Sequence, residues 1–341
     1  MTPIALEGNS GAHIGNGSHY LYDGVMKTSR IITLLALSGL LVSCGDSQDR
    51  ATTPETDRLA VAASFYPIAE IVQRVGGDDV QLLALTAPGV EPHDSELSAK
   101  QLQKLSQVDI VFYIGGGFQP DLEKAIDSLP ETTVAIDLLK SVDLIASEEK
   151  DDHAEEESDG HDRGHSENDP HVWLDPSNMV KMSATVAQEI AKVQTDLASD
   201  LTSRQADYAN ELNEVGTLID ATFAACDRQE LVSAHDAFAY FTKRANLIAV
   251  PISGIDPENE PSAKELEATA KIARSRNVTT VFFEEILPKA FADTVATAIG
   301  ASIDSINAVE TISQSDLDAG ATYSSIMKSN ISKVSTALGC K

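Results

Sequence analysis

Short apolar runs alternate with amphipathic stretches through most of the chain. Between Leu59 and Asp137 the runs Leu59–Ala63, Gln81–Leu85, Asp109–Ile114 and Thr133–Ile136 read as strands, with apolar positions at helical spacing between them. Strand and helix alternating at this spacing build a parallel sheet covered on both faces. The rhythm returns at Leu231–Ala234, Leu247–Ile252, Thr279–Phe283 and Ala301–Ile306, separated by helices near 236–245, 262–275 and 289–299. The pattern predicts an α/β protein of two lobes, each a parallel sheet flanked by helices.

Between the two series, Ser177 to about Ala225 contains almost no helix breaker apart from Gly216, and Tyr208, Leu212, Val215, Leu218 and Ile219 recur at helical spacing. A helix over 203–225, roughly 35 Å long at 1.5 Å per residue, is expected to join the lobes as a stiff strut. A helical hairpin belonging to one lobe is the alternative. The expected organisation is a first lobe over 58–202, a connecting helix over 203–226 and a second lobe over 227–341.

The N-terminal region reads as an address. Met26-Lys27-Thr28-Ser29-Arg30 supplies two positive charges, and Ile31 to Val42 is an apolar run whose only polar members are Ser and Thr. That is the layout of a secretory signal, and the run is too short to span a bilayer, which needs about 20 residues. Leu41-Val42-Ser43-Cys44 ends it in a form resembling the lipobox of bacterial lipoproteins, whose cysteine is lipidated after cleavage. The expectations are an upstream extension over 1–25, a signal over 26–43, a lipid anchor on Cys44 and a flexible tether over 44–57. The working protein is then extracytoplasmic. In that oxidising setting Cys226 and Cys340 remain as an even pair, and a disulfide is the simplest account of them.

Charge narrows the function. With 25 Lys and Arg against 53 Asp and Glu in 341 residues, the formal charge is −28. Such a field repels phosphate backbones and concentrates cations, so nucleic-acid binding is excluded. Aromatic residues are 5 %, with a single Trp, which leaves little material for stacking on sugars or bases. Small or inorganic ligands remain. The stretch 148–169 carries eleven acidic residues and three histidines, His153, His161 and His165, with nothing apolar larger than Ala. It cannot bury enough apolar area to fold alone and is expected to be a mobile loop that captures metal weakly.

Three further histidines stand where open α/β sheets place their ligands, beyond the carboxyl ends of strands. His93 lies in Gly89-Val90-Glu91-Pro92-His93-Asp94, His171 in Asp169-Pro170-His171-Val172-Trp173-Leu174-Asp175-Pro176, and His235 in Ser233-Ala234-His235-Asp236. Singly, a histidine is more often a hydrogen-bonded structural residue than a ligand. Three at strand ends, beside a His-rich loop and a large negative charge, point to a bound cation. Imidazole suits zinc in particular.

These motifs, with Ala237-Phe238-Ala239-Tyr240, Val281-Phe282-Phe283-Glu284 and Tyr323-Ser324-Ser325-Ile326-Met327, resemble the ZnuA/TroA-like zinc-binding solute-binding lipoproteins of bacterial ABC transporters. The resemblance covers nearly all of 58–341. It implies two α/β lobes joined by a long rigid helix, with the metal between them and His93, His171 and His235 as its ligands. For the fourth position it implies Glu310, in Ala308-Val309-Glu310-Thr311-Ile312, or water. Relatives that use an acidic residue just before the first His have Pro92 at that position here. Manganese- and iron-selective relatives commonly carry Glu where His235 stands, so zinc is the expected cargo. Glu284, at the end of a strand, is expected either to support a metal ligand from behind or, as the favoured reading, to be a structural carboxylate facing the hinge, and Asp94 and Asp236 read as loop residues or as groups that orient neighbouring imidazoles.

The resulting expectation is a monomeric, non-enzymatic carrier that hands zinc to a cognate permease. A manganese or iron carrier of the same family, a surface adhesin and a secreted zinc hydrolase are the competing readings. Against the hydrolase, the chain has no His-Glu-x-x-His, and no nucleophile motif stands out.

Overall fold

Central strands of parallel sheets are covered on both faces and need unbroken apolar sequence, whereas edge strands tolerate alternation. Both patterns occur in the computed structural model, which describes residues 58–93, 95–147 and 168–341. The signal and tether segments, Cys44, Asp94, and His153, His161 and His165 lie outside the described residues. In the first lobe, β1 (Leu59–Ala63) is almost wholly buried, and β2 (Val80–Ala84), β3 (Ile110–Tyr113) and β4 (Val134–Asp137) complete a parallel sheet in the order β2-β1-β3-β4. Helices α1 (Tyr66–Gly76), α2 (Ala99–Leu105) and α3 (Pro120–Ile126) connect the strands. In the second lobe, β5 (Glu230–Ser233) is buried at every position and β8 (Ser302–Ile306) alternates. With β6 (Ile248–Pro251) and β7 (Thr280–Glu284) they form a parallel sheet in the order β6-β5-β7-β8.

All eight strands fall within a residue or two of the predicted runs. The helices α6 (Ala239–Ala245), α7 (Ala263–Ser275) and α8 (Ala290–Ile299) lie where periodicity put them, and α9 (Gln314–Asp318) and α10 (Tyr323–Leu338) close the chain.

The segment between the sheets forms two helices, α4 (Pro176–Val193) and α5 (Ala198–Thr222), packed together through Gln205 and Ser183. At 25 residues α5 is about 37 Å long. Its buried stripe is Leu201, Tyr208, Leu212, Val215 and Ile219. Leu218, adjacent to that stripe, is 38 % exposed. Helix α5 touches both lobes: Arg204 donates to the Val75 carbonyl of α1, and Arg244 of α6 donates to the Gly216 carbonyl and to Asp220. A Cβ at Gly216 would stand 2.6 Å from the Arg244 guanidinium, so the one breaker in the helix is where an arginine crosses it closely.

One apolar cluster runs through both lobes, from Val61 and Ile68 through Trp173, Tyr208 and Leu212 to Phe241, Tyr323 and Val334. The lobes therefore share a core rather than facing each other across water. Cys226, just after α5, is bonded to Cys340, just after α10, and Arg228 N–H donates to the Leu338 carbonyl beside it. The bridge spans 114 residues of sequence, and such a loop restricts the unfolded chain by up to about 4–5 kcal/mol in the chain-entropy description. Replacing both cysteines by Ser is expected to lower the thermal midpoint by several degrees. An unchanged midpoint in matched melts would show that the bridge contributes nothing.

Candidate metal centre

His93 sits in the loop after β2. Its own N–H donates to Glu91 Oε1 (3.1 Å), and the buried amide of Gln119 donates to the carbonyl of Pro92 (3.2 Å) and to Thr86 Oγ1 (3.2 Å). The ring packs edge-on against Phe118, with centroids 4.5 Å apart. The same loop is stitched to the other lobe at Gly89, whose φ of +75° suits glycine and whose N–H lies 2.9 Å from both the Ile312 carbonyl and Thr311 Oγ1.

His171 precedes a short 3-10 turn, Val172–Leu174. Asp169 Oδ1 accepts from its backbone N–H (2.8 Å) and lies 2.7 Å from its Nδ1, so one carboxylate sets both backbone and ring. His235 follows β5 by two residues. Because β5 and β7 are neighbours, with Val232 paired to Val281, the last residue of β7, Glu284, reaches it: Oε1 lies 2.6 Å from His235 Nδ1. This is the crevice where the strand order reverses. Glu310 lies in the loop between β8 and α9. Asn330 of α10 brackets Asn307 there, accepting from its N–H (3.1 Å) and donating to its carbonyl (2.7 Å). Val309 has φ +60°, a conformation that costs a β-branched residue on the order of 1–3 kcal/mol. The surrounding contacts hold that strain next to a site residue.

These four side chains converge. The Nε2 atoms of His171 and His235 are each 3.3 Å from Glu310 Oε1, and that of His93 is 3.9 Å away. One ligand atom from each residue lies within 4.8 Å of all the others. A tetrahedral zinc site with bonds of about 2.0–2.1 Å has ligand-to-ligand edges of about 3.3–3.4 Å, so two edges are already at that length. His93 is 8 % exposed, His171 and His235 are fully buried, and Glu310 is 1 % exposed. His93 Nε2 and His171 Nε2 are buried without an aligned hydrogen bond, as expected of ligand atoms left for a cation, and Glu310 Oε2 is likewise buried without a partner. The donor set fits a divalent cation.

Electrostatics agree with that geometry. Burial acts to lower His171, but the carboxylates of Asp169 and Glu310 outweigh it and raise the ring to about 9. The same balance, with Glu284 and Glu310 as the anions, holds His235 well above the usual range. Burial lowers His93, which Glu310 only partly offsets. Burial acts to raise Glu310, yet the surrounding imidazoles hold it well below the ordinary carboxylate range.

The structure brings together the four residues named from sequence as ligands. Of the two readings of Glu284 it favours the supporting one, against the preferred hinge-facing one, because the carboxylate engages the Nδ1 of His235. The ring of His235 is held by Glu284 and Glu310, and the backbone N–H of Asp236 donates to the Gly254 carbonyl (3.1 Å), a loop contact. Asp169 was missed, although an Asp two residues before a His, across a Pro, is a readable signal for a side chain that caps the turn and meets the ring.

The family model described as "Zinc-uptake complex component A periplasmic" (ZnuA) matches residues 61–337. The chain belongs to the ZnuA family. It is similar to the high-affinity zinc uptake system protein ZnuA of Bacillus subtilis, 30 % identical over 92 % of this chain and 98 % of that protein. Zinc-binding lipoprotein AdcA of Streptococcus pneumoniae is 27 % identical over 90 % of this chain, which spans 60 % of AdcA. The crystal structure of the Zn(II)-bound ZnuA-like domain of that AdcA superposes with a TM-score of 0.69 at 25 % identity, covering 82 % of this chain and 99 % of that domain.

One consequence for this ZnuA-family chain concerns the metal-free protein. His171 titrates near 9 in the fold against 6.5 outside it, so the stability its protonated ring adds is complete below pH 6.5 and is lost as pH rises through about 9. Asp169→Asn is expected to flatten the loss of thermal stability between those limits. An identical pH slope in wild type and variant would contradict the assignment.

Proposed function

We propose that this chain captures Zn2+ outside the cytoplasmic membrane and delivers it to the permease of an ABC transporter. Zinc is its cargo. The observation that carries this is the buried set of three imidazole nitrogens and one carboxylate oxygen within 4.8 Å of one another. His93, His171 and His235 bind through Nε2 and Glu310 through Oε1. Manganese, magnesium and calcium favour oxygen-rich sets, whereas this one is mostly nitrogen and its size is that of a tetrahedron, which supports zinc over the manganese reading. The names of the relatives, a zinc uptake protein and a zinc-binding lipoprotein, support the same cargo.

Binding is an exchange of protons for a cation, because ligating imidazoles must be neutral at Nε2. Asp169 and Glu284 each engage Nδ1, which fixes the tautomer and presents Nε2 to the metal. The rest of the reading lies outside the described residues, apart from Asn168 and Asp169: a signal over 26–43, a lipid anchor at Cys44, a tether over 44–57, and a collecting loop over 148–169 in which His153, His161 and His165 bind zinc weakly. The lobes extend over 58–202 and 227–341, with the connecting helix between. The carrier acts as a monomer.

Calorimetric titration with zinc is expected to give one tight site per chain that survives deletion of 148–168. His171→Ala or His235→Ala should weaken it by at least about 100-fold, and Glu284→Gln or Asp169→Asn by about 10–100-fold. Glu310→Gln separates a carboxylate from water as fourth ligand, since loss of a direct ligand should cost at least about 100-fold and loss of a group that only supports the imidazoles about 10–100-fold. Loss of all binding on deleting the loop would overturn the cleft site. Delivery is read by zinc-limited growth of cells carrying the cognate permease, restored by the wild type and not by His235→Ala.

A further inference from the structure

Away from the cluster of histidines, a second charged group ties the lobes together. Glu70, on the first-lobe helix α1, is half-buried and accepts hydrogen bonds from three directions. Tyr66 of its own helix donates to Oε2 (2.6 Å), the buried Tyr208 of α5 donates to Oε1 (3.3 Å), and the backbone N–H of Tyr323 donates to Oε2 (2.7 Å). Tyr323 is the first residue of α10, so Glu70 satisfies an otherwise unpaired amide at a helix N-terminus, where a negative charge is favoured. Arg74, one turn along α1, pairs with Glu211 of α5 and lies over the Tyr208 ring, 4.6 Å from its centroid. One carboxylate thus joins the first lobe, the connecting helix and the C-terminal helix.

The contact continues to the metal centre without a break. The Tyr323 hydroxyl donates to the carbonyl of Trp173 (2.7 Å), and the Trp173 indole N–H donates to the carbonyl of Ala308 (2.8 Å). Trp173 lies two residues after His171 and packs edge-on against its ring, with centroids 5.3 Å apart. Ala308 lies two residues before Glu310. The chain Glu70, Tyr323, Trp173, Ala308 therefore runs from α1 to both sides of the cluster, and Trp173 and Tyr323 are fully buried along it.

We propose that Glu70 is a positioning residue for the metal centre: by holding the start of α10 it fixes, through Tyr323 and Trp173, the spacing between His171 and Glu310 across the lobes. Resting on the zinc-binding reading above, this adds a residue that touches no ligand yet sets how fast the cation leaves. Burial pushes the Glu70 carboxyl up, while the Tyr66 and Tyr323 hydrogen bonds and the Arg74 charge pull against it; Glu211 adds to the upward push. Gln at this position keeps the shape and can accept from Tyr323, and the Tyr208 hydroxyl can rotate to accept from its amide. Ala keeps nothing.

The test uses the full chain and two readouts. The first is the rate at which a chelator removes zinc. Glu70→Ala and Tyr323→Phe are each expected to release zinc about tenfold faster than wild type, Glu70→Gln to stay within about threefold, and the Glu70→Ala/Tyr323→Phe double variant to be no faster than the faster single variant, because both break one chain. The second needs no metal. Trp173 is the chain's single Trp, so acrylamide quenching of the metal-free protein reports this contact directly and is expected to rise in Glu70→Ala and Tyr323→Phe but not in Glu70→Gln. Zinc release at the wild-type rate by a folded Glu70→Ala, or an additive double variant, overturns the proposal. Should Glu70→Ala fail to fold, wild-type release and quenching in Tyr323→Phe overturn it. A wild type that binds no zinc refutes the zinc reading alone, and the quenching comparison still decides the role of Glu70.

Discussion

A carboxylate at 1 % exposure has to be matched by positive charge, and the site is arranged around that requirement at Glu310. Removing an ionised carboxylate from water costs several kcal/mol after relaxation, and the groups facing its Oε1 are three imidazole Nε2 atoms. In the metal-free protein protons supply the charge, which is why His171 and His235 are held above their ordinary range and Glu310 below its own. A divalent cation replaces those protons without asking the side chains to travel far. The site is preformed because the electrostatic demand is the same whichever cation meets it.

Holding that cluster requires two lobes whose relative position is fixed. His93 and His171 come from the first, His235 and Glu310 from the second, and an error of 1 Å between the lobes would take the 3.3 Å edge between His171 and Glu310 out of range. The shared apolar core sets the coarse position. Directional contacts refine it: Trp173 to Ala308, Tyr323 to Trp173, Tyr240 to the Asp169 carbonyl, and Gly89 to Ile312. The strained Val309 can persist only because Asn330 and Asn307 hold its loop from two sides. Local strain, lobe packing and ligand spacing are thus parts of one arrangement.

Much of this was legible in the chain. The strands were, because central ones such as Leu59–Ala63 need unbroken apolar sequence, and so were the three histidines, because each follows a strand or a Pro-marked turn. Periodicity over-assigned the connecting helix in one respect: Leu218 is apolar but falls just off the stripe of Leu212, Val215 and Ile219. Glu284 was legible as a strand-end carboxylate but not as the partner of His235, since that depends on β5 and β7 being neighbours, a fact of topology rather than spacing. Glu70 was invisible for a similar reason. A glutamate on an amphipathic helix reads as solvated until α5 and α10 are packed over it.

The contacts also determine where opening is least costly. Swinging the lobes apart exposes Trp173, Tyr208 and Tyr323, three of the largest fully buried side chains, each worth roughly 1.5–3 kcal/mol of burial. The loop of His93 is the more exposed part of the site. It carries an exposed Val90, and its histidine stands 3.9 Å from Glu310, where the other two stand at 3.3 Å, although Gly89 ties the loop to the other lobe. His171 and His235 are each held at Nδ1 by a carboxylate buried with them. Among the four, His93 is therefore the least enclosed and stands furthest from the carboxylate, while His171, His235 and Glu310 form the more tightly held part of the site.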